Sequence, residues 1–145
     1  MPVTVKKIVL WRSEVENKPG VLAGVLQPLV TAGTDLQVLM GYRHPGEPGK
    51  AAVELYPVTG KKSVAAAGAA GLQASSIPTL LVEGDNKPGL GAAIARAMAD
   101  AGVNLAFLVA QVMGRKYSAI IGFETEEDAR KAAALIKRIS AGKKK

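Results

Sequence analysis

The feature that most constrains this chain is a repeat within its own sequence. The tetrapeptide Asn17–Gly20 recurs as Asn86–Gly89, an offset of 69 residues. Between 17–39 and 86–108, 9 of 23 positions are identical, and several others exchange one apolar residue for another. A chain of 145 residues with this symmetry is predicted to fold as two copies of one small unit, with boundaries at 1–76 and 77–145.

In each copy an apolar run leads through the Asn-Lys-Pro-Gly turn into an amphipathic helix. The runs Ile8–Val15 and Thr79–Gly84 are predicted to be strands. The apolar residues after each turn have the helical spacing that buries one face, and the proline fits the first helical position. These residues are Leu22, Val25, Leu26, Leu29 and Val30 in the first copy, and Leu90, Ala93, Ile94, Ala97 and Met98 in the second.

A hairpin and a second helix follow in both copies. Gly33 and Gly102 stand where the first helix of each copy is predicted to end. The hairpin strands are predicted at Leu36–Tyr42 with Ala51–Val58, and at Leu105–Val112 with Tyr117–Phe123. The second helices are predicted at Lys61–Ala70 and at Glu126–Ile139, the latter capped by Thr125. The order is therefore βαββα, twice.

This order, with its Asn-x-Pro-Gly turn, resembles the ACT domain over essentially the whole chain. The resemblance implies an α+β fold of two ferredoxin-like βαββαβ repeats, with antiparallel sheets and helices on one face. The first copy has a candidate fourth strand at Leu72–Ile77, whereas nothing suitable follows the last helix. Since Val3–Ile8 aligns with Leu72–Ile77, we predict strand exchange, in which Val3–Ile8 completes the second sheet and Leu72–Ile77 the first.

The turn is the best candidate for a ligand site. A helix N-terminus presents unpaired N–H groups, glycine permits close approach, and asparagine supplies a donor and acceptors, which together suit the head group of an amino acid. In ACT regulatory domains, effector amino acids sit at such turns between paired modules, so the resemblance implies a site at the interface of the two repeats. Its predicted residues are Asn17, Gly20, Val21 and Leu22, and Asn86, Gly89, Leu90 and Gly91.

Two questions about these turns stay open in the sequence. Leu22 is replaced by Gly91 in the second copy, which leaves more room there, so the two pockets are not equivalent. One of them is expected to bind the ligand better, and the sequence does not say which one. The alternative is that each turn is purely structural, with asparagine acting as the N-cap of the helix.

Residues suited to catalysis are few. The chain has no cysteine, its one histidine, His44, lies in a Pro/Gly-rich hairpin loop, and Ser75 and Ser76 have no candidate base nearby. The acidic pairs Glu14/Glu16 and Glu83/Asp85 are interpreted as solvated strand faces. We therefore expect no enzymatic activity, no metal and no cofactor.

Charge and hydropathy exclude further classes of partner. The net charge of +7 is spread over both copies and includes a basic C-terminal tail at 141–145, and only 4% of residues are aromatic, so we expect no nucleic-acid partner. No apolar run is long enough to span a bilayer, and no export signal is present, so we expect a cytoplasmic protein without a membrane partner.

The function that this combination favours is regulatory. The chain is expected to sense a free amino acid between its ACT repeats and to control a partner enzyme of amino-acid metabolism or its own oligomeric state. A homodimer is expected because exposed sheet edges invite pairing. The alternative is a protein-protein interaction and dimerisation module that binds no ligand.

Overall fold

The computed structural model describes residues 3–140 and contains two compact units. The first unit is Val9–Ser76, and the second unit comprises residues 77–140 together with the N-terminal strand β1 (Val3–Ile8). The predicted basic tail at 141–145 lies outside the described residues. Each unit is a four-stranded antiparallel sheet with two helices, which confirms the predicted α+β class with two ferredoxin-like repeats.

The first unit follows the predicted order of elements. They are β2 (Trp11–Glu16), α1 (Val21–Thr31), β3 (Val38–Arg43), β4 (Lys50–Tyr56), α2 (Lys61–Ala69) and β5 (Gln73–Ala74). The strand order in the sheet is β3-β4-β2-β5.

The second unit has the same arrangement. Its elements after β1 are β6 (Thr79–Asp85), α3 (Leu90–Asp100), β7 (Leu105–Met113), β8 (Lys116–Phe123) and α4 (Glu126–Ser140). The strand order is β1-β6-β8-β7, so β1 occupies the position that β5 holds in the first unit.

The predicted strand exchange is confirmed. β1 pairs antiparallel with β6 along its full length, from Val3 opposite Gly84 to Ile8 opposite Thr79. In the first unit β5 joins β2, as predicted, but the strand comprises only Gln73 and Ala74, followed by one more backbone hydrogen bond from the Ser75 N–H to the Leu10 carbonyl oxygen at 2.8 Å. The predicted strand at Leu72–Ile77 is therefore too long, because the chain must turn towards β6, and Pro78 just before that strand has no N–H to donate.

The predicted strand at Ile8–Val15 is also wrong in its bounds. Ile8 ends β1, where it pairs with Thr79 in the second unit, while β2 starts at Trp11. The predicted strand Ile8–Val15 is thus divided between two sheets. Its continuous apolar pattern gives no sign of this division.

Each unit has its own apolar core between the sheet and the helices. In the first unit Val25 and Leu29 of α1 pack with Val53 and Leu55 of β4 and with Leu72. The predicted face of α1 is only partly correct, because Leu22 is 43% exposed and Val30 is 62% exposed.

The second unit has a larger set of buried apolar residues. α3 contributes Leu90, Ile94 and Met98, which pack in the same core as Ile121 and Phe123 of β8. Burying a side chain of this size contributes roughly 1.5–3 kcal/mol. Thr125 caps α4 as predicted, since the Asp128 N–H donates to its hydroxyl oxygen at 3.0 Å.

Candidate functional site

The turn after β2 has a left-handed glycine at the start of the helix. Gly20 has φ 88° and is the N-cap of α1, and no side chain caps this helix. The helix begins at Val21, so the expectation that Pro19 occupies its first position is wrong: the left-handed Gly20 stands between them. Asn17 is not the N-cap either, which removes that part of the structural alternative. Its side-chain N–H donates instead to the Pro48 carbonyl oxygen at 2.9 Å.

The second unit repeats this geometry. Gly89 has φ 86°, is the N-cap of α3 and likewise makes no side-chain cap. The Asn86 backbone N–H donates to the Arg115 carbonyl oxygen at 2.8 Å, as that of Asn17 donates to Gly49 at 3.0 Å. Neither helix start has a side-chain cap, but the first helical N–H of each donates to the backbone, from Val21 to the Lys18 carbonyl oxygen at 3.4 Å and from Leu90 to that of Lys87 at 3.2 Å.

A cavity of about 240 Å³ lies beside the turn of the first unit. It opens to solvent between the start of α1, the end of β2 and the hairpin of β3 and β4. Three predicted residues, Asn17, Val21 and Leu22, line it, whereas Gly20 shapes the turn and is not in its wall. The other lining residues are Val15, Glu16, Lys18, Gly41, Tyr42, Arg43, Ala51, Ala52 and Val53.

Charges of both signs stand at the rim of this cavity, and apolar groups form its wall. Glu16 and Lys18 form an exposed ion pair at 3.1 Å, and Arg43 adds a second cation. Val15, Leu22 and Val53 supply aliphatic surface. This combination of opposite charges with a small apolar wall is complementary to a zwitterion that carries a modest apolar side chain.

Two of the four predicted residues of the second unit, Leu90 and Gly91, are placed differently from Val21 and Leu22. Leu90 is only 4% exposed and belongs to the apolar core, so it does not face solvent. Gly91 lies against Tyr117, because a methyl group added at Gly91 would be 3.6 Å from the Tyr117 hydroxyl oxygen. The room that Gly91 was expected to leave is thus next to an aromatic ring.

Tyr42 belongs to the cavity wall and was missed in the sequence. Its hydroxyl donates to Glu54 at 2.7 Å, and the Glu54 side chain is 3% exposed. Burial, followed by the hydrogen bond to Glu54, raises the pKa of Tyr42 above its ordinary value. The register places Tyr42 opposite Ala52 and Glu54 opposite Met40, so the two polar side chains share one face of the hairpin. That alternation is the signal that would have found them.

A polar network continues from this pair across the same sheet. The Arg12 guanidinium lies 3.9 Å from Glu54 and donates to Glu14 at 2.7 Å. This hydrogen bond lowers the pKa of Glu14. His44 lies 3.6 Å from Glu14. Glu14 is therefore a member of an ordered network rather than only part of a solvated face, and the network fixes the Tyr42 hydroxyl on Glu54.

Residues 3–140 contain neither a metal-binding cluster nor a membrane-spanning helix. Within that range no three His, Asp or Glu residues are grouped so that they could hold a metal ion. None of the helices described there has both the length and the apolar character needed to cross a membrane.

Known proteins are similar to this chain in structure but not in sequence. No family model matches it, and no curated protein matches its sequence. A protein from Bacteroides thetaiotaomicron has a TM-score of 0.71 and 14% identity, with 92% of this chain and 98% of that chain covered. The ligand-free regulatory subunit of aspartate kinase from Thermus thermophilus has a TM-score of 0.65 and 17% identity, with 95% and 96% covered.

A second aspartate kinase regulatory subunit, from Thermus flavus, has a TM-score of 0.59 and 18% identity, with 95% of this chain and 96% of that chain covered. At such low identity the likeness concerns the fold, and it extends over nearly the full length of each protein. Together with the internal repeat and the two completed sheets, it shows that this chain has the fold of a tandem ACT-domain protein.

Proposed function

We propose that this chain is a regulatory protein whose first unit binds a free amino acid in the cavity beside the start of α1. The observation that carries the proposal is that cavity, where an uncapped helix start, charges of both signs and an aliphatic wall meet within about 240 Å³. This volume is below the roughly 300–1,000 Å³ of drug-sized sites, which favours a ligand as small as an amino acid.

Each part of the ligand has a matching group in the wall. The carboxylate is bound by the N-terminus of α1 and by Arg43, since a helix N-terminus and a guanidinium both favour an anion. The ammonium group is bound by the Glu16 carboxylate. The side chain lies against Leu22 and Val53, so a small aliphatic residue is the preferred ligand class.

Binding serves regulation rather than turnover in this proposal. A ligand changes the state of a protein only through its different affinities for two states, so the bound amino acid favours one conformation or association state over another. The Thermus neighbours are by name regulatory subunits of aspartate kinase, which supports an enzyme of amino-acid metabolism as the partner class.

A thermal-denaturation screen against the common free amino acids at millimolar concentration tests the proposal. A ligand that binds only the folded state stabilises it by about 2.7 kcal/mol at a hundredfold excess over Kd. We expect a selective rise of the melting midpoint with one small aliphatic amino acid or a few related ones. A folded protein that shifts with none of them would contradict the proposal.

A pair of arginine variants then locates the site. Arg43→Ala is expected to weaken binding of the amino acid found in the screen by about tenfold or more, because a charged hydrogen bond contributes roughly 1.5–3 kcal/mol. Arg96→Ala is the matched control, since the Arg96 side chain is 76% exposed on α3 and forms an exposed ion pair with Asp100 at 3.6 Å. Equal affinity in both variants would remove Arg43 from the site.

A ligand-free association module is the second candidate function, and one surface favours it. The edge strand β7 exposes Leu108, Val109, Val112 and Met113 and carries no charge over its nine residues. The opposite edge of that sheet, β1, carries Lys6 and Lys7. An uncharged apolar edge invites pairing with a second copy of this chain. In sedimentation, Val109→Lys would then dissociate a dimer that forms without any amino acid.

A further inference from the structure

The two units place their large side chains differently around the turn. Val15 and Gly84 are equivalent positions in the repeat, and their partners on the neighbouring strand are Ala51 and Tyr117. Leu22 and Gly91 are likewise equivalent, one residue into each helix. The first unit therefore has a small residue on the strand and a large one on the helix, and the second unit has the reverse.

In the first unit this combination leaves space. Ala51 ends at its methyl group, and together with Val15 and Leu22 it lines the open cavity. Leu22 itself is 43% exposed, so it borders the opening rather than filling the space.

In the second unit the same region holds an aromatic ring. Tyr117 is 5% exposed and packs in the apolar core with Leu90 and Ile94. Its hydroxyl reaches Gly91, where an added methyl group would touch it at 3.6 Å. Burial raises the pKa of the Tyr117 hydroxyl, as expected for a phenol removed from water. Gly84 on the facing strand has no side chain to compete for the volume.

We infer that the Tyr117 side chain fills the space in the second unit that is equivalent to the cavity of the first unit. The chain therefore has one amino-acid site, in the first unit, rather than two. The stoichiometry rests on the proposed function, whereas the occupancy by Tyr117 does not. The pair Tyr117 and Gly91 decides which repeat binds, and this answers the question that the replacement of Leu22 by Gly91 left open.

The variant Tyr117→Ala, probed with 4-methylphenol, tests the occupancy directly. Removing the ring leaves an apolar cavity that a molecule of the same shape fills. We expect a lower melting midpoint that millimolar 4-methylphenol raises again, with no such rise in the unmodified chain. Tyr42→Ala is the matched control, because Tyr42 is 42% exposed and its removal leaves no enclosed space. Equal responses of the two variants would overturn the inference.

A second variant tests the inference in the first unit. This test remains valid even if the Tyr117→Ala protein does not fold. The triple substitution Val15→Gly, Leu22→Gly and Ala51→Tyr gives the first unit the second unit's residues at these three positions. Second-derivative absorbance is expected to show that the added tyrosine is buried, against the background of the natural Tyr42, Tyr56 and Tyr117. An additional tyrosine exposed to solvent would contradict the inference.

Binding stoichiometry separates this inference from the proposed function. Titration calorimetry with the amino acid found in the screen is expected to give one site per unmodified chain and two per Tyr117→Ala chain. Two sites in the unmodified chain would overturn the inference and leave the proposed function intact. If no amino acid binds at all, the proposed function fails, and rescue by 4-methylphenol still decides whether Tyr117 is the occupant.

Discussion

The two units share a turn, a strand order and a repeated sequence, yet equivalent positions in them hold side chains of different size. Across the second hairpin, Phe107 covers Gly122, whereas the corresponding partners in the first unit are Val38 and Tyr56. Around the turn, Tyr117 meets Gly91 where the first unit has Ala51 and Leu22. In both places the larger side chain of the pair has moved to the other partner.

This difference separates what the fold needs from what a site needs. The sheet requires only that a large residue faces a small one at each pair, because a core tolerates exchange when volume is preserved. A binding cavity requires that the space beside one such pair stay unfilled. That space is open in the first unit and filled by Tyr117 in the second, so two units of one fold differ in their proposed ability to bind.

The fourth strand is a second contrast between the units. β1 pairs with β6 through six residues, while β5 pairs with β2 through two. The second sheet therefore depends on the beginning of the chain, and the first sheet depends little on its short fourth strand.

Deleting residues 1–8 is expected to have the largest effect. It removes the buried side chains of Val3 and Ile8, a loss of roughly 3–6 kcal/mol, which approaches the whole stability of a small unit. Hydrogen exchange is expected to show that amides of Thr79–Asp85 lose protection while those of Lys50–Tyr56 keep it. The matched control Gln73→Pro disturbs only β5 and should change little. Unchanged protection in β6 would contradict the dependence on β1.

Gly122→Ala is expected to have the next largest effect. A methyl group there would lie 2.6 Å from Cδ2 of Phe107 and closer still to Cε2, an overlap that costs roughly 1–3 kcal/mol in urea denaturation. Adding Phe107→Ala should make the same glycine substitution almost free of cost. Gly68→Ala in α2 of the first unit is the control, because nothing lies within 4 Å and alanine favours a helix. If both single variants lose stability equally, the ring does not constrain position 122.

Much of this architecture is predictable from the sequence, because repeat and periodicity are local signals. The Asn-Lys-Pro-Gly turns, the helices and hairpins, and the exchange of Val3–Ile8 into the second sheet all follow from aligning the chain with itself. The lengths of edge strands do not follow from it. β5 is short because the chain must leave for β6, and that is a requirement of connectivity rather than of any side chain.

The equivalence of Tyr117 and Ala51 could not be found from the sequence for a different physical reason. The turns are 69 residues apart, but Ala51 and Tyr117 are equivalent at a separation of 66, since the second hairpin loop is shorter. Cross-strand register therefore has to be known before Tyr117 can be placed opposite Gly84. Of the eight predicted site residues, Asn17, Val21 and Leu22 line the described cavity, while Leu90 belongs to a core.

Tyr117→Phe is expected to act only at alkaline pH. Burial raises the pKa of Tyr117 above 10.0, so the folded chain keeps a proton that the unfolded chain releases. The stability from this neutral phenol is complete below about pH 10 and is lost as pH rises through the raised pKa. Melting curves from about pH 9 to about pH 11 should fall less steeply for Tyr117→Phe.

Tyr42→Phe in the first unit is the comparison for this alkaline effect. It removes a hydrogen bond to Glu54 and is therefore expected to lower the melting midpoint already at neutral pH, where Tyr117→Phe does not. Identical pH profiles for Tyr117→Phe and the unmodified chain would show that the hydroxyl is not held away from water.

The smallest expected difference concerns the ion pairs at the two turns. Asp85 pairs with Lys116 across strands at 2.6 Å, whereas Glu16 pairs with Lys18 only two residues away. The hydrogen bond from Lys116 lowers the pKa of Asp85 below 3.8, so its contribution is present above about pH 4 and is lost as pH falls through the lowered value. Asp85→Asn should therefore flatten the acid limb of a circular-dichroism unfolding curve slightly.

Glu16→Gln should have less effect, because its partner stays close by in the unfolded chain too. Both differences should vanish in 1 M salt, where the Debye length falls to about 3 Å; an Asp85→Asn effect that persists there would have to arise from packing rather than charge.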